Sequence, residues 1–160
     1  RFNEDFIIGD ISHDTIYQYS KNKTLTPILV KTPSIYSQDP QMMVIPEFKT
    51  PKLFFLERTE RKFNFETKEG FEREKIVYDY QSGLFYKYAL KNKDYPNQIF
   101  YLNSGGYAYR TGKNILCQFI SAEELIEAND EGELHGTLKD ITKTLRIDDN
   151  PVLMIMKFRE

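Results

Sequence analysis

DTIYQYSKNKTLTPILV, residues Asp14 to Val30, is the stretch on which the fold turns. Ile16, Tyr17, Gln18 and Tyr19 alternate with the period of a half-buried strand. Ser20 to Thr24 is a polar turn and Leu25 to Val30 a second apolar run, so the segment predicts a β-hairpin. A weaker copy, KIVYDYQSGLFYKYAL, runs from Lys75 to Leu90 with Ser82-Gly83 as its tight turn. Tyr78-x-Tyr80 repeats Tyr17-x-Tyr19 at an offset of 61 residues (78 − 17). A hairpin that returns at a sheet-sized interval marks an architecture built from repeated sheets.

Working outward, Asp5 to Ile8 predicts a short strand closed by Gly9-Asp10, and Lys31 to Pro40, punctuated by Pro33 and Pro40, predicts a loop. Gln41 to Phe48 predicts a strand in which Pro46 removes a ladder donor and so points to a sheet edge. Lys52 to Asn64 begins apolar and then alternates charges, with Glu57, Thr59 and Arg61 on one face and Arg58, Glu60 and Lys62 on the other. Its charged half, with the polar connection Phe65 to Glu74 around Gly70, is expected to form a solvated hairpin arm or a protein-docking element. Lys91 to Asn97 reads as a loop, Gln98 to Leu102 as a strand and Asn103 to Gly106 as a turn. Tyr107 to Arg110 and Asn114 to Ile120 read as a hairpin joined through Thr111-Gly112-Lys113.

At Ser121 the period changes. Ser121-Ala122-Glu123-Glu124 is a capping box opening a helix with Leu125, Ile126 and Ala128 on its apolar side, ended at Asn129 to Gly132. A second helix is expected from near Thr137, with Leu138, Ile141 and Leu145 on one face, broken by Asp148-Asp149-Asn150-Pro151. Val152 to Phe158 is apolar enough to be a strand buried on both faces. The expected organisation is a single domain or fragment, 1–160: β-hairpins over 1–120, two short helices over 121–147 and a closing strand over 151–159.

Composition agrees with a mainly β chain. Its 160 residues suffice for one domain, and 12 Phe and 11 Tyr against no Trp favour pleated surfaces. A net charge of −2 lacks the basic excess of a nucleic-acid binder. One cysteine, Cys117, excludes an intrachain disulfide, and no apolar run has the length of a membrane span or the layout of a signal peptide. A start at Arg1 rather than Met leads us to expect an upstream segment.

Candidate chemistry is sparse. His13-Asp14 is the adjacent His/acid pair and Ser12 the nearby hydroxyl, but no nucleophile-elbow sequence surrounds any serine, and Asp14 before a strand suits a turn residue. His135 and His13 lack metal-ligand spacing, and Asp148, Asp149 and Asn150 lack the remainder of a calcium loop, so no metal or cofactor is expected. Cys117 lies in an apolar run and reads as a small hydrophobe. Tyr95, Tyr101, Tyr107 and Tyr109 crowd the Gly105-Gly106 turn, and either form a sugar- or peptide-stacking platform or pack as one aromatic strand face.

Taken together, D-T-I-Y-x-Y and L-x-P-I-L-V (Asp14 to Val30), P-S-I (Pro33 to Ile35), the helix pair Ser121 to Arg146 and D-D-N-P-V-L-M-I (Asp148 to Ile155) resemble the C-terminal part of a bacterial six-bladed β-propeller family. Its members are secreted or lipid-anchored, many with no assigned function. The resemblance spans nearly the whole chain and rests on structural rather than catalytic motifs. It implies two to three antiparallel four-stranded blades, because a complete ring needs roughly twice this length. It further implies an extracytoplasmic protein, in the periplasm or at the cell surface, with a lipid anchor upstream. Two functions are compatible with it: a non-enzymatic binding or scaffold module for a protein or carbohydrate, or a hydrolase or lyase whose axial site is completed by residues outside this chain.

Overall fold

The structure, a computed structural model, describes residues 6–102, 108–112 (backbone only) and 115–158. The expected turn at Asn103 to Gly106, Tyr107 and the junction Lys113-Asn114 lie outside the described residues. The fold is mainly β, in several antiparallel sheets with two α-helices. The chain divides into two compact units, Arg1–Phe48 with Lys52–Lys87, and Lys49–Pro51 with Tyr88–Glu160.

In the first unit, β1 (Phe6–Gly9), β2 (Thr15–Tyr19) and β3 (Leu25–Val30) form a three-stranded sheet in that order. The opening hairpin is β2–β3, paired from Thr15 opposite Val30 to Tyr19 opposite Leu25. The second sheet is four-stranded, in the order β4 (Met42–Lys49), β5 (Leu53–Glu60), β8 (Arg73–Asp79), β9 (Leu84–Lys87). Here β4 is an edge, as Pro46 requires. The echo hairpin is β8–β9, and Gly83 supplies the positive φ of its turn. In both sheets the Tyr-x-Tyr strand lies inside and its hairpin partner forms the edge, so the 61-residue offset relates equivalent strands.

Side-chain alternation turns Phe54 and Leu56 of β5 and Ile76 and Tyr78 of β8 towards Ile16 of β2 and Ile28 and Leu29 of β3, and these form the core of the unit. Gly9, at the end of β1, sits against the Pro46 ring; a Cβ there would lie 2.9 Å from Pro46 Cδ and Cγ. Beyond β5 and β8 the arm continues as β6 (Phe63–Asn64) and β7 (Glu69–Gly70), and its tip is exposed as expected. Its base is not. Glu57 and Thr59 are buried while Arg58 between them is exposed, so at that level it is the face of β5 carrying Glu57 and Thr59 that is covered.

The second unit begins with β10 (Leu90–Asn92) and β11 (Tyr95–Phe100), a hairpin where a loop was expected over Lys91 to Asn97. Its turn is only Lys93-Asp94, tightened by the Asp94 amide donating to Asn92 Oδ1 at 2.9 Å, and such a short polar turn reads as loop. Next, β12 (Ala108–Gly112), β13 (Ile115–Ile120) and β14 (Val152–Lys157) form a three-stranded sheet in chain order. The closing strand is therefore an edge, not a central strand. Leu153 and Ile155 are exposed while Val152 and Met154 pack on the core, so an unbroken apolar run here has one buried face.

Helix α1 (Ala122–Asp130) starts as the capping box predicts, with the Glu124 amide donating to Ser121 Oγ at 3.1 Å, and stops before Gly132 at φ +75. Helix α2 is shorter than expected, Gly136–Thr142; Leu145 packs on the core from the turn beyond, and Ile141 faces out. Its cap comes from a distance. His135, at the N-cap, makes no side-chain cap bond; instead Asp94 Oδ2 accepts from the Leu138 amide at 3.4 Å and Asp94 O from the His135 amide at 2.8 Å. Gly136, at φ +50, leaves room for that carboxylate, which would lie 2.7 Å from a Cβ.

Among the described residues only the second sheet has the four strands expected of a blade, and their sheets close into neither a barrel nor a ring. No helix among them is long and apolar enough to cross a membrane.

Candidate functional site

A cleft of about 500 Å³ opens in the first unit beside the Ile16–Phe54–Leu56 core. Its apolar wall is Leu29 of β3, Met42 and Val44 of β4, Leu56 of β5, Ile76 of β8 and Phe85 of β9; Lys31, Gln38 and Arg58 supply the polar atoms. Leu29, Val44, Leu56 and Ile76 also belong to the core cluster, so the cleft is that core's open margin. Val30 and Phe85, both largely exposed, stand at its mouth.

Asp14 positions one side of this cleft. Its backbone carbonyl accepts from the Lys31 amide at 2.8 Å and its Oδ1 from the Ile35 amide at 2.7 Å, so one residue holds both ends of the segment leaving β3. The Ser34 hydroxyl and the Ile35 amide hold the Asp14 carboxyl below the usual carboxylate range. Asp14 is thus a long-range anchor, where the sequence suggested a turn residue bonding its own neighbourhood.

The two cations of the cleft differ. Arg58 Nη2 lies 2.7 Å from Glu74 Oε2, and Lys87 takes the other oxygen of the same carboxylate, so the guanidinium is paired. Lys31 Nζ is shielded from solvent and has no hydrogen-bond partner among the described residues. Burial pushes the Lys31 ammonium's pKa down, and attraction to Asp14 and Asp10 opposes that only in part.

A second polar cluster lies within the four-stranded sheet. Lys75 Nζ bonds both Glu47 Oε1 and Glu57 Oε2, the latter at 2.6 Å, and Arg73 Nε approaches Glu57 Oε1 at 3.7 Å. The Glu47, Glu57 and Lys75 side chains are 2%, 6% and 11% exposed. The charged stretches expected to be solvated therefore contribute a buried Glu–Lys–Glu triad. Glu57 and Lys75 lie directly opposite across β5 and β8, and the ammonium bridges onward to the edge strand β4. Acid–base work requires an opening to a reacting group, and at these exposures the triad is a structural ion cluster.

Ser12, His13 and Asp10 do meet, in the wrong geometry for acyl transfer. Ser12 Oγ donates to Asp10 Oδ1 at 2.7 Å and lies 3.1 Å from His13 Nδ1, while Asp10 Oδ2 is 3.1 Å from the same nitrogen. A triad needs serine and carboxylate on opposite imidazole nitrogens. The Ser12 amide also donates to Asp10 Oδ1, which makes this an exposed Asx turn. Cys117 is buried in β13, and Asp149 Oδ2 accepts from the Arg146 amide in the turn after α2. Among the described residues no three His, Cys, Asp or Glu side chains assemble as a metal site.

The four tyrosines are not brought together by what is described. Tyr95 is 6% exposed, its ring packed edge-on to Phe100 in the core of the second unit, whereas Tyr101 is about half exposed. Tyr107 lies outside the described residues, as does the Tyr109 side chain. An aromatic cluster that the sequence reading missed stands at the arm tip. Phe63 packs edge-on to Phe65 at 5.0 Å and beside Phe71 at 5.8 Å, with Phe65 85% exposed.

The fold is similar to that of a putative exported protein from Bacteroides fragilis NCTC 9343, whose crystal structure is known at 2.60 Å resolution. The TM-score is 0.56 at 12% identity, over 97% of this chain and 48% of that one. This chain thus spans about half the length of that structure, and at such identity the likeness is one of fold. No protein-family model and no curated protein matches the chain.

Proposed function

We propose that this chain is an extracytoplasmic, non-enzymatic binding module built of propeller-type blades, and that the cleft beside the Ile16–Phe54–Leu56 core is its binding site. The observation that carries the reading is the cleft itself. A concave apolar surface with a few convergent polar groups is the usual form of a small-molecule site, and about 500 Å³ is within the usual size range. The blade reading is supported by the equivalent inner strands β2 and β8 at the 61-residue offset, and the location by the exported description of the structural neighbour.

Titration with a neutral apolar fluorescent probe tests the site. One saturable site is expected, weakened at least tenfold by Val30→Trp, which places an indole across the mouth at an exposed position. Non-saturable uptake, or binding indifferent to Val30→Trp, refutes the assignment.

A further inference from the structure

We infer that the cleft of the first unit takes a single-chain amphipathic carboxylate, its alkyl part against Leu29, Val44, Leu56 and Ile76 and its head group on Lys31. This rests on the cleft being the binding site. The apolar wall alone would accept any greasy molecule; what selects a monoanion is the difference between the two cations. Arg58 already has a carboxylate partner in Glu74, 2.7 Å away, which holds its guanidinium in place. Lys31 has a desolvated ammonium with three donors and no acceptor among the described residues, an unfavourable state for a charge.

The carboxylates of Asp14 and Asp10 relieve it only in part. Asp14 Oδ1 is engaged by the Ile35 amide, and Asp10 accepts from Ser12 and faces His13. Because the Lys31 side chain forms part of the cleft wall, rotation about its four-carbon stem brings the ammonium to a ligand's oxygens without moving the backbone, which Asp14 holds. Filling the cleft with an alkyl chain at the same time excludes water from that ion pair and strengthens it.

Calorimetric titration of the full chain with octanoate and with octanol provides the test. The two share an alkyl chain and differ in the head. Octanoate is expected to bind about tenfold or more tightly than octanol, the ratio that a charge-assisted hydrogen bond supplies. Lys31→Met should bring octanoate down to octanol's affinity and leave octanol unchanged, while Lys31→Arg should retain most of the preference. Lys31→Met removes an unpaired ammonium, so its thermal midpoint should match or exceed that of the parent. Equal binding of the two probes by the unmodified chain, or octanoate binding indifferent to Lys31→Met, overturns the head-group assignment and leaves the cleft standing as an apolar site. If neither probe binds, the assignment of the cleft as a binding site falls with it.

Discussion

Replacing Lys75 by Met separates two views of the charged sheet. If the Glu47–Lys75–Glu57 triad is as enclosed as the structure shows, the substitution takes from two buried carboxylates the ammonium they share. Methionine keeps the length and apolar stem of lysine, so packing loss is small and the deficit reports the charge. Removing one partner of a buried ion pair costs about 3–5 kcal/mol. Arg73, 3.7 Å from Glu57 and largely exposed, offsets little of this. The matched control lies on the same sheet. Lys87 bonds Glu74 with its side chain 80% exposed, and exposed pairs are worth at most about 1 kcal/mol. Urea unfolding followed by far-ultraviolet circular dichroism should therefore place Lys75→Met several kcal/mol below the parent and Lys87→Met within about 1 kcal/mol of it, with unchanged slopes. Replacing all three triad residues by Met, Leu and Met should recover most of the loss, since a well-packed apolar set often equals a buried ion cluster. Equal small losses for Lys75→Met and Lys87→Met would show that the triad is solvated and would refute the argument.

Three further outcomes are expected. Gly9→Ala puts a methyl 2.9 Å from the rigid Pro46 ring and should cost about 1–3 kcal/mol in the same unfolding assay, relieved by Pro46→Ala. Asp94→Ala removes the remote cap of α2 and should lose about 1 kcal/mol, detected as faster amide exchange at Leu138, whereas Gly136→Ala should lose more because it adds both the left-handed strain and contact with the Asp94 carboxylate. Asp14, whose carboxyl is held below its ordinary range by Ser34 and Ile35, contributes stability that is present above the unfolded carboxylate pKa and lost as pH falls through the lower folded value. The acid limb of a melting-temperature profile should accordingly be shallower in Asp14→Asn than in the parent.

What the sequence made legible was local. The hairpins β2–β3 and β8–β9 declare themselves through alternation and turn residues within about twenty positions, and α1 through Ser121 and Glu124. What it hid depends on partners far along the chain. Asp94 caps a helix 44 residues away, and nothing near Gly136 announces it. Lys31, between Val30 and Thr32, looks like any solvated lysine after a strand, and its shielded ammonium becomes visible only with residues of β4 and β5 lining the same cleft. Val152 to Lys157 is apolar throughout, and an apolar run does not reveal whether one face or two is covered, which the three-stranded order settled. The cleft residues are ordinary strand residues one by one, and become a site only when two sheets leave a margin between them.

The charges of β5 and β8, unreadable as a buried cluster, nevertheless encode which residues pair. In the observed register Glu57 faces Lys75 on one side of the sheet and Arg58 faces Glu74 on the other. Sliding β8 by one position in one direction sets Glu57 against Glu74 and Arg58 against Arg73; sliding it the other way sets Arg58 against Lys75. Like charges directly opposite are destabilising, and a one-residue slip of β8 would also turn Ile76 and Tyr78 away from the core they share with Phe54, Leu56 and Ile16. Charge and hydrophobic pattern thus reject the same errors independently. Glu47 extends the discrimination to β4, because Lys75 on the correct face brings its ammonium to the edge strand's buried carboxylate. The triad costs desolvation, and what it returns is a single alignment of β4, β5 and β8 and hence a fixed position for Val44, Leu56 and Ile76 along the cleft wall.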